Sequence, residues 1–125
     1  MRFMSFALAG ALAAMPIAAL ADGASEAVTA QTHAQLAAGA SDLAGVHMHL
    51  HHTVNCLVGP NGKGFDAKEM NPCANAGNGA IPDTKDPARL KVLNDAVVLA
   101  ESGISDDDLT AARKAAADTA SKLKP

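Results

Sequence analysis

The sequence predicts an all-α fold, a small antiparallel bundle of three to four helices with a long Gly/Pro-rich loop pinned by one disulfide. Three observations lead there. Apolar residues recur at spacings of three and four in several windows, as on helices with one buried face, and no window alternates as a strand does. Residues 59–86 break that pattern with Gly59, Pro60, Gly62, Gly64, Pro72, Gly77, Gly79 and Pro82. Two cysteines, Cys56 and Cys73, bracket the first half of this stretch.

At the N-terminus, Met1-Arg2 is a short cationic start and the run from Phe3 is rich in Ala and Leu. Ala19-Leu20-Ala21 then supplies a small-x-small cleavage pattern before Asp22. Gly10 and Pro16 interrupt the apolar run, whereas an uncleaved span needs about 20 apolar residues. Residues 1–21 therefore read as a cleaved secretory signal. Residues 22–125 form a single helical domain, periplasmic or secreted, with no membrane attachment once the signal is gone.

Within that domain the Ala-rich segment predicts a helix from Glu26 to Ala38, with Ser25 as a candidate N-cap. Ser41 can cap a second start, with Asp42 favourable in its first turn. Leu43, Val46, Leu50, Val54 and Leu57 then continue a stripe. Leu36 precedes Leu43, Leu50 and Leu57 at the same interval, so Gly39 either breaks two helices apart or bends one. Gly59-Pro60 ends this segment. Asp86-Pro87 opens the next helix as N-cap and first residue, with Leu90, Leu93, Val97 and Ala100 inward and Gly103 as its stop. Ser105 to Asp108 forms a capping-box variant for the last helix, whose inner face is Leu109, Ala112, Ala116, Ala120 and Leu123. The core is thin, made of Ala, Leu and Val, and can lean on the disulfide, a ligand or a second copy of the chain.

An even cysteine count in an oxidising compartment favours a Cys56–Cys73 bridge. Closing that loop stabilises a fold by about 3 kcal/mol through the lost entropy of the unfolded chain. No Cys-x-x-Cys is present, which argues against a thiol oxidoreductase and a c-type haem.

Charge and composition exclude more. The chain carries a net charge of −3, and losing Arg2 with the signal makes the domain more acidic still. It has no Trp or Tyr, and only Phe65 lies beyond the signal. An acidic chain without stacking residues is no nucleic-acid binder and is not drawn to anionic membranes.

Chemistry concentrates in Val46–Cys56, which holds His47, His49, His51 and His52, four of five histidines. At about 100° per residue from Leu50, His47 falls roughly 60° and His51 roughly 100° to one side, an i, i+4 pair at the border of the stripe. Met48 and His52 form a second such pair, at roughly 160° and 200°. Two imidazoles one turn apart can chelate an ion, and imidazole with a thioether suits Cu or Zn. His47, His51, Met48 and His52 are thus the predicted metal ligands, with a third donor drawn from Met70, Asp66, Glu69 or His33. His33 joins only if the chain folds back at Gly39. A haem held axially by His or Met is the weaker cofactor alternative.

No His-Glu-x-x-His base motif is present, and no catalytic triad can be argued. Gly59-Pro60-Asn61-Gly62-Lys63-Gly64 lacks the Ser/Thr and the preceding strand of a phosphate loop. Asp106-Asp107-Asp108 lacks the alternation of a calcium loop. The sequence therefore predicts a non-enzymatic, exported protein that binds Cu or Zn for buffering, delivery or sensing. The competing reading is a structural or interaction protein whose loop meets a protein partner and whose histidines are incidental.

Overall fold

The computed structural model describes residues 23–125. The predicted signal, residues 1–21, lies outside the described residues. Within them the chain is all-helical: α1 (Ala24–Gly39), α2 (Leu43–Val58), α3 (Ala80–Asp83), α4 (Pro87–Ile104) and α5 (Leu109–Lys122). No helix among the described residues is long and apolar enough to cross a membrane.

Gly39 marks a break, not a bend. Residues 40–42 leave the helix, and Asp42 caps α2 by accepting the Gly45 N–H at 2.8 Å. The cap is therefore one residue later than Ser41. Because α1 ends there, Leu36 does not share the buried face of Leu50 and Leu57; it is 48% exposed. The chain folds back instead. Thr53 on α2 donates to the Ala30 carbonyl on α1 at 3.3 Å, and His33 meets His49. Ala27, Ala30, Ala34 and Ala37 are buried on α1, and so short a side chain lets two helix backbones approach closely.

α2 is the central element, packed against α1 on one side and against α4 and α5 on the other. Every residue from His52 to Val58 is buried. Leu50, Leu57 and Leu93 are sealed from solvent, each stabilising the fold by about 1.5–3 kcal/mol relative to exposure. Gly103, expected to stop α4, lies inside it. A Cβ there would press on Leu50 Cδ1 at 2.6 Å and Ala115 Cβ at 3.1 Å, so the glycine lets α2, α4 and α5 converge. α4 ends one residue on, with Ser105 as its C-cap. α5 is capped by Asp108, which accepts the Ala111 N–H at 2.8 Å, so Ser105 is not the cap of the last helix. The inner face of α5 is as expected at Ala112, Ala116, Ala120 and Leu123, and partly so at Leu109.

The segment between α2 and α3 has no long helix and is closed on itself. Cys56 and Cys73 form the expected disulfide. Its two ends also touch: Gly59 has φ 71°, and a Cβ there would run into the Asn78 carbonyl. Asn55, fully buried at the end of α2, spans the interior of this loop. Its Nδ2 faces the carbonyls of Asp66, Glu69 and Met70 at 3.0, 3.4 and 3.1 Å, and its Oδ1 accepts the Asp66 N–H at 2.8 Å. Of residues 59–86, expected to be irregular, only Ala80–Asp83 is helical, as the single turn of α3.

Candidate metal centre

On α1, Ala30, His33 and Ala37 follow at helical spacing, so the face that packs against α2 carries one imidazole in a column of alanines. On α2, His49, His52, Thr53 and Cys56 lie on the side that meets α1. The hairpin therefore brings His33 between His49 and His52. The ring centroids form a near-equilateral triangle of 5.6, 5.2 and 5.6 Å, with His52 nearly perpendicular to both neighbours.

One ring nitrogen from each of the three lies within 4.8 Å of the other two, which makes the trio capable of holding a metal ion. His33 Nδ1 and His49 Nδ1 are 3.4 Å apart. Two nitrogens bound to a tetrahedral ion at about 2.0–2.1 Å stand about 3.3–3.4 Å from each other, so this edge already has the dimension of a zinc site.

The electrostatics suit the neutral rings that a metal requires. Burial holds His33 below the ordinary imidazole value of 6.5, reinforced by repulsion from His52 and His49. His52 is lowered too, by burial first and then by His49, with Glu69 opposing and His51 adding to the effect. His52 is only 4% exposed, and its Nδ1 is buried without a hydrogen-bond partner. Leaving such an atom unpaired costs about 1–3 kcal/mol, and an ion is one way to satisfy it. Its Nε2 lies 3.7 Å from Glu69 Oε2.

Of the four ligands predicted from sequence, His52 alone belongs to this trio. His47 looks the opposite way, its Nε2 donating to the Asp106 carbonyl at 2.9 Å across the α4–α5 turn. His51 Nδ1 faces Asp66 Oδ2 at 3.6 Å, and Met48 is 41% exposed. The i, i+4 pair is thus divided between two different neighbours. The residues that converge with His52 are His33 and His49, because α2 buries a second face that an apolar stripe does not reveal. The signal for them was the alanine column of α1: a hairpin turning at residues 40–42 sets position 33 opposite 49 as it sets 30 opposite 53.

No known protein family, curated protein or solved structure matches this chain.

Proposed function

We propose that this is an exported antiparallel helical bundle that binds a transition-metal ion, Zn or Cu, through His33, His49 and His52, for buffering, delivery or sensing rather than turnover. The observation that carries the reading is the convergence of three ring nitrogens from two helices within 4.8 Å. Imidazole is a good ligand for both ions, and the lowered proton affinity of His33 and His52 favours their metal-ready form. Export is supported by the disulfide, which persists in oxidising compartments. The loop closed by Cys56–Cys73 and by the Gly59–Asn78 contact supports a second reading, in which it presents a surface to a protein partner.

Titrating Zn²⁺ and Cu²⁺ into the metal-free protein tests the first reading. Wild type should bind one ion tightly, with proton release on acidic approach to neutrality. The His33→Ala/His49→Ala double variant should lose that binding, and His47→Ala/His51→Ala should keep it. The reverse pattern would return the site to the pair predicted from sequence. Wild-type binding no tighter than tens of micromolar and indifferent to both variants would leave the interaction reading standing.

A further inference from the structure

Glu69 stands behind the histidine trio rather than in it. Its Oε2 lies 3.7 Å from Nε2 of His52, yet it is not among the groups whose ligand atoms converge with those of His33 and His49 among the described residues. A neutral imidazole has one N–H and one lone pair. If the N–H is on Nε2, facing the carboxylate, the lone pair falls on Nδ1, the buried atom that lacks a partner. Glu69 is brought to this position by Asn55, which holds the carbonyls of Asp66, Glu69 and Met70 from one fully buried amide.

We infer that Glu69 is the positioning residue of the metal centre: its carboxylate, 3.7 Å from Nε2 of His52, favours the proton on that nitrogen by charge and so presents Nδ1 to the ion as a bare lone pair. The inference rests on the metal-binding reading above. Metal-ligating histidines commonly give their second nitrogen to a carboxylate in this way, which fixes the tautomer and raises ligand basicity. A metal on Nδ1 makes the Nε2 proton more acidic and strengthens the pull of Glu69, so the contact gains most when the site is filled.

The same loop carries its own control. Asp66 sits three residues before Glu69 and faces His51 Nδ1 at 3.6 Å, a contact of the same kind with a histidine outside the trio. Both carboxylates are about one-third exposed, so either can be altered without opening the core. Asp66 also accepts the Lys68 N–H at 2.9 Å through Oδ1, a bond that Asp66→Asn keeps because its amide oxygen can still accept.

Zinc affinity is measured for wild type, Glu69→Ala, Glu69→Gln and Asp66→Asn, alongside the histidine nitrogen chemical shifts of each zinc-free protein. Glu69→Ala should bind about 10–100-fold more weakly, the usual loss for an outer carboxylate. Glu69→Gln, whose amide oxygen can still accept, should recover part of this, and Asp66→Asn should match wild type. His52 should hold its proton on Nε2 in wild type and largely so in Glu69→Gln, which keeps an acceptor there, and should show a mixture of tautomers in Glu69→Ala. Wild-type affinity in Glu69→Ala, or weakened affinity with an unchanged His52 tautomer, would overturn the inference. Failure of wild type to bind zinc would instead overturn the metal reading, and the tautomer comparison would still decide what Glu69 does to His52.

Discussion

The two sides of α2 make the instructive comparison. Toward α4 and α5 the helix offers Val46, Leu50 and Val54, sealed from solvent, with His47 at their edge spending its Nε2–H on the Asp106 carbonyl. Toward α1 it offers His49, His52, Thr53 and Cys56, and it is met by alanines and His33. One side is held together by hydrocarbon contact that is indifferent to pH. The other is held by groups that hydrogen-bond, titrate or oxidise. The same residue type therefore has different consequences on the two sides: a histidine whose N–H is committed to a distant carbonyl is a structural tie, whereas three histidines with a ring nitrogen each turned to one point are a potential site.

Substitution on the hydrocarbon side should give the largest effect. Leu50 is fully buried and reaches Gly103 on α4, so Leu50→Ala leaves a cavity at the point where three helices meet. The expected loss is about 2–5 kcal/mol, read from the denaturant midpoint with an unchanged slope. A loss under about 1 kcal/mol would mean that the junction collapses onto the space, and that packing there is looser than the burial implies.

The polar side should respond to pH where the hydrocarbon side does not. His33 and His52 have proton affinities in the folded protein below the ordinary value of 6.5, so the unfolded chain binds more protons than the fold as pH falls through that value. Stability is thus complete above about pH 6.5 and declines as the pH drops through the lower folded values. Glu69 opposes the decline by favouring charged His52; His49 and His51 deepen it. The carboxylates of Asp83, held low mainly by the Asn78 N–H, and Asp95, held low mainly by Lys91, act only below 3.8. A thermal series from pH 8 to 5 with chelator present, run on wild type and His33→Ala together, reads the imidazole contribution as the difference between the two. The midpoint should fall on acidification, and His33→Ala should flatten the slope; a midpoint that stays level in wild type would show that the rings accept protons without cost.

What could be read from sequence divides along the same line. The inner face of α5, the Asp86-Pro87 start of α4 and the Cys56–Cys73 pairing were all legible, because apolar spacing, helix-start chemistry and cysteine parity are local signals. The caps at Ser41 and Ser105 were displaced to Asp42 and Asp108, since serine and aspartate cap about equally well and packing decides the register. The metal-capable trio was least legible. Hydrophobic periodicity finds one stripe per helix, but α2 is buried on two sides, and its second side is built of histidine, threonine and cysteine. Placing His33 there required the turn at residues 40–42, which local pattern left open between a break and a bend.

The smallest expected effect tests the division most sharply. His47 and His52 are both helix-borne imidazoles, half-buried and buried respectively, and only their neighbours distinguish them. His47→Ala removes a hydrogen bond between α2 and the α4–α5 turn, which should cost about 0.5–1.5 kcal/mol in unfolding free energy. It should leave zinc affinity unchanged, because its ring nitrogen is committed to Asp106 and not turned to the trio. His47→Gln, whose amide can donate to the same carbonyl, should recover part of the stability. If His47→Ala instead weakened zinc while sparing stability, the two sides of α2 would have exchanged roles, and the ion would belong on the side where the apolar stripe first placed it.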